Sequence, residues 1–282
     1  MKNLIVRALT GAVYVVLLAG CTLYGPVSAY LFFSIVAMAT LWEFSTLMNR
    51  HYGAALIPYL NSFAGILLTS AVWLWLVGGN GTGQAFALYG MLMLYMLVSE
   101  LYRKAADPLK NWALVFASQI YVALPFALLP LMSVGYDENG RIVYESIYPM
   151  ALFLFIWIND TGAYLFGCSL SRYFTAKLFP RISPKKSWVG SIGGGLLTVA
   201  ASVAISYFFP GMLTLPKWIG FALVVVVFGT WGDLTESLMK RHLGIKDSGN
   251  ILPGHGGMLD RFDSAIMAIP AAVVYLYFIS LF

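Results

Sequence analysis

Apolar runs long enough to cross a bilayer recur along the whole chain, separated by short polar connections. Nine such runs predict nine transmembrane helices, at about 4–24, 27–47, 57–77, 84–100, 112–134, 148–167, 189–209, 216–238 and 264–281. No heptad array, low-complexity tract or repeat of 20–50 residues interrupts the series. The expected fold class is all-α, a polytopic integral membrane protein in two regions. Residues 1–135 form an N-terminal transmembrane scaffold, and residues 136–282 carry the polar chemistry.

Composition excludes a soluble globular chain. Only 10% of the residues are charged and 60% are hydrophobic, with a mean hydropathy of +0.80, whereas a soluble domain carries about a quarter charged residues. With the N-terminus inside, fifteen of the seventeen Lys and Arg residues fall on the inner side, and only Arg141 and Lys217 fall outside. That asymmetry is what the positive-inside rule demands. The net charge of +5 is then topology and attraction to anionic headgroups, and it implies no nucleic-acid partner. The two cysteines, Cys21 and Cys168, fall near opposite membrane faces, which argues against a disulfide. Leu18-Ala19-Gly20-Cys21 resembles a lipoprotein cleavage box, but a polytopic protein is expected to keep its first span.

Chemistry concentrates in one stretch, Ser237 to Ser264. It joins Lys240, Arg241, Lys246 and Arg261 to Asp247, Asp260 and Asp263, with the turn Pro253-Gly254-His255-Gly256-Gly257 between them. Cations for phosphates, carboxylates for a metal and glycines for close backbone approach suit metal-dependent phosphate transfer. In the eighth run Asp233, Glu236 or Ser237, and Lys240 recur at three to four residues and share a helix face. Asp260 and Asp263 share one at the start of the ninth. An ionisable group at membrane depth is costly and marks a site by default. Asp233 beside Asp260 and Asp263 makes a hard oxygen set suited to Mg²⁺. The alternative for Asp233 is pairing with Lys240 or Arg261 to stabilise the bundle, and for the other two, capping of a helix start.

The stretch resembles the C-terminal signature of phosphatidate cytidylyltransferases (CDP-diacylglycerol synthases). Its fixed positions are matched by Ser237, Lys240, Arg241, Lys246, Asp247, His255, Gly256, Gly257, Asp260, Arg261 and Asp263. Asn159-Asp160-Thr161-Gly162-Ala163-Tyr164 and Ser183-Pro184-Lys185-Lys186-Ser187-Trp188 also resemble segments of that family. Val189 stands where the family more often has Glu, so no role passes to it. The resemblance implies CTP plus phosphatidate giving CDP-diacylglycerol and pyrophosphate, with Mg²⁺ and a possible second cation. It assigns metal binding to Asp233, Asp260 and Asp263, and charge neutralisation to Lys240, Arg241, Lys246 and Arg261. It places Asn159, Asp160, Ser183, Lys185, Lys186, Ser237, Asp247, His255, Gly256 and Gly257 around the substrates. It also implies a homodimer, and the charge asymmetry puts the N-terminus on the cytoplasmic side, the expected location being a bacterial cytoplasmic (inner) membrane.

A phosphomonoester is already largely dianionic near neutral pH, so its oxygen needs no strong general base. The alternatives are another CTP-dependent membrane lipid enzyme, polyprenol or phytol kinase-like or CDP-archaeol synthase-like, and a lipid transporter without catalysis. Three features keep a bland reading. Lys177 and Arg181 are read as membrane anchors. Gly190, Gly193, Gly194 and Gly195 are read as a helix-packing face. Glu43, polar within an apolar run, receives no role.

Overall fold

The computed structural model describes residues 2–78, 82–170, 172–251, 254 and 256–280, with the side chains of 2–8 and 82 left aside. Ten α-helices are present among them: α1 Lys2–Tyr24, α2 Pro26–His51, α3 Pro58–Val77, α4 Ala85–Arg103, α5 Pro108–Ser118, α6 Leu124–Leu128, α7 Ile147–Leu170, α8 Trp188–Phe208, α9 Leu215–His242 and α10 Leu259–Ser280. Among the described residues eight helical runs are long and apolar enough to span a membrane. The remaining expected run, 4–24, coincides with α1, of which only the shorter segment Leu9–Tyr24 counts as described throughout. The chain is an all-α, multi-pass membrane protein.

One expected span is not a regular helix. Between α5 and α6 the run Pro108–Met132 passes through a π-helical segment, Gln119–Ala123. Pro125 has no N–H for the carbonyl of Tyr121, four residues earlier, so the regular ladder cannot run through this turn. The connection at 168–188, expected as a plain loop, contains an antiparallel hairpin of β3 Lys177–Phe179 and β4 Ser183–Ser187. A second small hairpin pairs β1 Val134–Tyr136 with β2 Ile142–Tyr144.

The chain divides into two compact units. The first comprises Met1–Ser146 and Leu243–Phe262, the second Ile147–His242 and Asp263–Phe282. Thus the loop after α9 belongs with the N-terminal helices. In the first unit Phe33, Phe126 and Phe262 are buried and form a ring chain, with centroids 6.4 Å apart for the first pair and 5.4 Å for the second. Polar contacts add to helix association there: Asn61 Nδ2 donates to Ser45 Oγ at 2.9 Å and to Ser118 Oγ at 2.8 Å. The second unit has its own aromatic core, with Trp218, Phe221 and Phe155 fully buried and Phe155 and Phe221 edge to face at 5.8 Å.

Helices α7 and α8 of the second unit approach closely because glycines line their contact. A Cβ on Gly162 would lie 2.8 Å from the Gly194 Cα, and one on Gly190 would lie 2.7 Å from the Ala163 carbonyl oxygen. Helix axes come this near only where side chains vanish. The packing reading of Gly190, Gly193 and Gly194 therefore holds. Gly195 points elsewhere, since its Cβ would meet Val226 at an ordinary 3.5 Å.

Candidate functional site

In the second unit the close α7–α8 pair, the β3–β4 hairpin and α9 surround a cleft of about 550 Å³, a size suited to a small-molecule ligand. Its charged lining is Asp160, Lys177, Lys185, Lys186 and Asp233. Local rules place each of them. Ser187 ends β4 and caps α8, its Oγ accepting from Gly190 N at 3.2 Å. That cap sets Lys185 and Lys186 at the start of the helix, in the cleft wall. Lys177 reaches the same cleft because β3 pairs with β4, Lys177 standing opposite Ser187. The anchor expectation did not foresee this position in the cleft wall.

Lys186 Nζ pairs with Asp233 Oδ2 at 2.5 Å, with both side chains about a quarter exposed. Ser237 Oγ, one turn along α9, donates to the other oxygen of Asp233 at 3.2 Å. Asn159 is buried, and its Oδ1 has no hydrogen-bond partner among the described residues. A buried acceptor left open in the wall of a cleft costs free energy unless a ligand donor or a cation meets it. Asp263 accepts from the backbone N of Ser264 at 2.6 Å and lies within electrostatic range of Asp233, Asp160 and Lys240.

Among the described residues no three His, Cys, Asp or Glu side chains form a closed metal-binding group. Mg²⁺ needs no such cage. It is held by one or two carboxylates, with waters and substrate phosphates completing the shell. Asp233 lines the cleft with the open Asn159 oxygen, and Asp263 lies within electrostatic range of Asp233, so these two carboxylates fit that requirement.

The two motif cations of this unit, Lys240 and Arg241, are engaged within the fold. Lys240 Nζ pairs with the fully buried Glu236 at 2.5 Å, one turn earlier on α9. Arg241 Nε donates to the carbonyl of Ile182 at 3.4 Å, tying α9 to the hairpin immediately before Ser183. Ser183 itself is half-buried at the start of β4 and is not among the cleft-lining residues.

The first unit carries the rest of the motif. Lys246 and Asp247 are exposed on a cleft of about 510 Å³ whose other wall is the end of α2, with Arg50 and His51. Asp260 faces its own loop: its Oδ2 accepts from Ser248 N at 2.8 Å, Ser248 Oγ at 2.9 Å and Gly257 N at 2.8 Å. Gly256, at φ +84°, adopts the left-handed backbone that glycine tolerates, and a Cβ there would sit 2.6 Å from the same oxygen. Arg261 is exposed in the first turn of α10. His255 and Pro253 lie outside the described residues.

Glu43 is the residue that sequence reasoning missed. It is buried in α2, and both of its oxygens accept hydrogen bonds from the loop that carries Lys246 and Asp260. The signal was available, since a carboxylate in an apolar run is itself a site hypothesis. Its partners lie more than two hundred residues away, where no local pattern points.

Comparison with known proteins covers the same stretch of chain. A sequence model of the cytidylyltransferase family matches residues 5–279. A phosphatidate cytidylyltransferase of Staphylococcus aureus (strain COL) is 31% identical over 270 residues, covering 94% of this chain and 96% of the relative. A namesake from Staphylococcus saprophyticus subsp. saprophyticus is 32% identical over 271 residues, with the same coverage of both chains. One from Staphylococcus haemolyticus reaches 40% over a shorter stretch, 146 residues. Since the match runs almost end to end, through the scaffold helices as well as the motif, the chain belongs to the cytidylyltransferase family.

Proposed function

We propose that the chain transfers a cytidylyl group from CTP to phosphatidate, giving CDP-diacylglycerol and pyrophosphate. The observation that carries this reading is the cleft of the second unit. Three lysines, two aspartates and the open Asn159 oxygen are gathered where a membrane helix pair ends. A phosphatidate oxygen forms the new bond to the α-phosphorus of CTP as the bond to the bridging β-phosphate oxygen breaks, and pyrophosphate leaves. The main obstacle is bringing two polyanions together, which positioned cations overcome.

Lys185 and Lys186 bind substrate phosphate from the head of α8. An anionic phosphate entering the cleft competes with Asp233 for the Lys186 ammonium, now 2.5 Å away. Ser237 steadies the Asp233 carboxylate, and Asn159 offers its acceptor from α7. Lys240, Arg241, Lys246 and Arg261 are assigned by the motif to the negative charge of the triphosphate. Mg²⁺ held by Asp233 and Asp263 would supply charge neutralisation to the phosphates. Asp260, in the first unit, is assigned to metal binding by the family resemblance alone.

We place the N-terminus in the cytoplasm of a bacterial cell and the chain in its cytoplasmic membrane. The support is the distribution of Lys and Arg, fifteen of seventeen on one side. Assembly as a homodimer rests on the family resemblance alone, and the mass of the detergent-solubilised particle tests it.

The activity test uses purified full-length protein with labelled CTP and phosphatidate, with Mg²⁺ and with excess chelator. Mg²⁺-dependent CDP-lipid and equimolar pyrophosphate are expected. Transfer of phosphate instead of cytidylate would move the chain to the lipid-kinase reading. Absence of any product from well-folded protein would leave only a non-catalytic reading.

A further inference from the structure

We propose that Glu43 is a positioning residue for the transfer reaction: from the membrane helix α2 it fixes the loop that presents Lys246, Asp247 and Asp260. The inference rests on the activity proposed above and assigns a part in it to the N-terminal region expected to be scaffold only.

A carboxylate only 5% exposed within an apolar helix needs strong compensation. Among the described residues no Lys or Arg pairs with Glu43. Its hydrogen-bond donors among the described residues all come from the loop and the first residue of α10. Oε1 accepts from Ser248 Oγ at 2.5 Å and from Leu259 N at 3.1 Å, and Oε2 accepts from Met258 N at 2.8 Å. Leu259 begins α10 and Met258 immediately precedes it, so their amides are among the donors that a helix start leaves unsatisfied. A carboxylate there also meets the positive end of the helix dipole.

Capping alone would make Glu43 structural. The contact with Ser248 makes it more. The Ser248 hydroxyl lies against Glu43 and, at 2.9 Å, against Asp260 Oδ2, so it links the two carboxylates. Asp260 in turn accepts from Ser248 N and Gly257 N. Glu43, Ser248 and Asp260 therefore form one network that closes the loop at both ends. The loop is also moulded on the Glu43 side chain. A Cβ at Gly249 would lie 2.7 Å from its Oε2, and one at Gly257 would overlap its carboxylate. Lys246 and Asp247 immediately precede Ser248, so the network sets where they emerge.

Glu43→Gln keeps size but turns an amide NH₂ toward donors that needed an acceptor. In full-length protein in lipid-detergent micelles, kcat/KM for CTP is expected to fall about 100-fold, the cost of misplacing reacting groups by about 1 Å. KM for phosphatidate should stay within about twofold, since Lys185 and Lys186, which bind substrate phosphate, lie in the other unit. Amide hydrogen exchange should speed at least tenfold at Ser248, Met258 and Leu259 and stay unchanged in α8. Ser248→Ala removes only the link, and its double mutant with Glu43→Gln should be no slower than Glu43→Gln alone.

Wild-type kcat/KM and exchange in Glu43→Gln would overturn the proposal. So would multiplicative losses in the double mutant, or an activity loss that merely tracks the folded fraction. If Glu43→Gln fails to fold, Ser248→Ala decides by the same two readouts. If the wild type makes no CDP-lipid, the reaction assigned above fails instead, and the exchange data still show whether Glu43 holds the loop.

Discussion

Replacing Gly194 by alanine tests whether the cleft depends on the close approach of α7 and α8. A Cβ at this position would lie 2.5 Å from the carbonyl oxygen of Asn159, 2.8 Å from its Oδ1 and 3.0 Å from Ala163 N. Carbon and oxygen settle at about 3.3 Å, so the helices must part by roughly 0.8 Å. Two of the three atoms belong to the α7 backbone and cannot turn aside. Overpacking of this kind costs about 1–3 kcal/mol. A gap of that width elsewhere along the seam forfeits a quarter to a half of each contact it opens, by rough count. Lys186 stands two residues before α8, so the displacement reaches its pairing with Asp233. We expect Gly194→Ala to lower CDP-lipid formation by about 10- to 100-fold, in line with the cost of a misplacement near 1 Å. The thermal midpoint of the solubilised protein should fall by several degrees.

Gly195→Ala is the matched control, because its methyl would meet only Val226 of α9, at an ordinary van der Waals distance of 3.5 Å. It carries the same gain in helix propensity and, by this reasoning, keeps wild-type activity and stability. Radiolabelled CTP incorporation and fluorescence-detected thermal unfolding would be measured on the pair. If the two variants behave alike, close packing of α7 on α8 does not govern the site.

Three further outcomes are expected. Asp233→Asn and Asp263→Asn should each lower turnover by a factor on the order of 10³, and the double mutant should be little worse than either; cleanly multiplicative losses would remove the shared cation. Lys186→Gln should lower activity about 10- to 100-fold without inverting the protein, since one of fifteen inner charges is lost, and full activity by the CTP assay would return Lys186 to a membrane anchor. Glu236→Gln removes the ion-pair partner that Lys240 has at 2.5 Å in a buried position, a loss of about 3 kcal/mol seen as poor solubilised yield. Adding Lys240→Met should restore folding and leave activity low, and recovered activity would show that Lys240 does no chemistry.

The transmembrane helices could be read in the amino-acid order because transfer into a bilayer is a local sum over consecutive side chains. The runs at 27–47 and 57–77 became α2 and α3 with small changes at the ends. The motif could be read for a related reason. Lys240, Arg241, Lys246, Asp247 and Asp260 are close along the chain, and their spacing alone shows a cluster of phosphate-directed groups. What packing decided was partnership. Lys186 meets Asp233 because α7, α8 and α9 converge, and Lys177 joins them because a hairpin forms where a loop was expected. The π-helical turn ahead of Pro125 is likewise invisible to hydropathy, which scores apolar content and not the missing N–H. Glu43 shows the limit most clearly. Its polarity marked it as unusual, but its ligands are Ser248, Met258 and Leu259, up to 216 residues away. A hydrogen bond is satisfied by whichever donor the fold brings within about 3 Å, and that neighbour is chosen by the packing of helices and not by order along the chain.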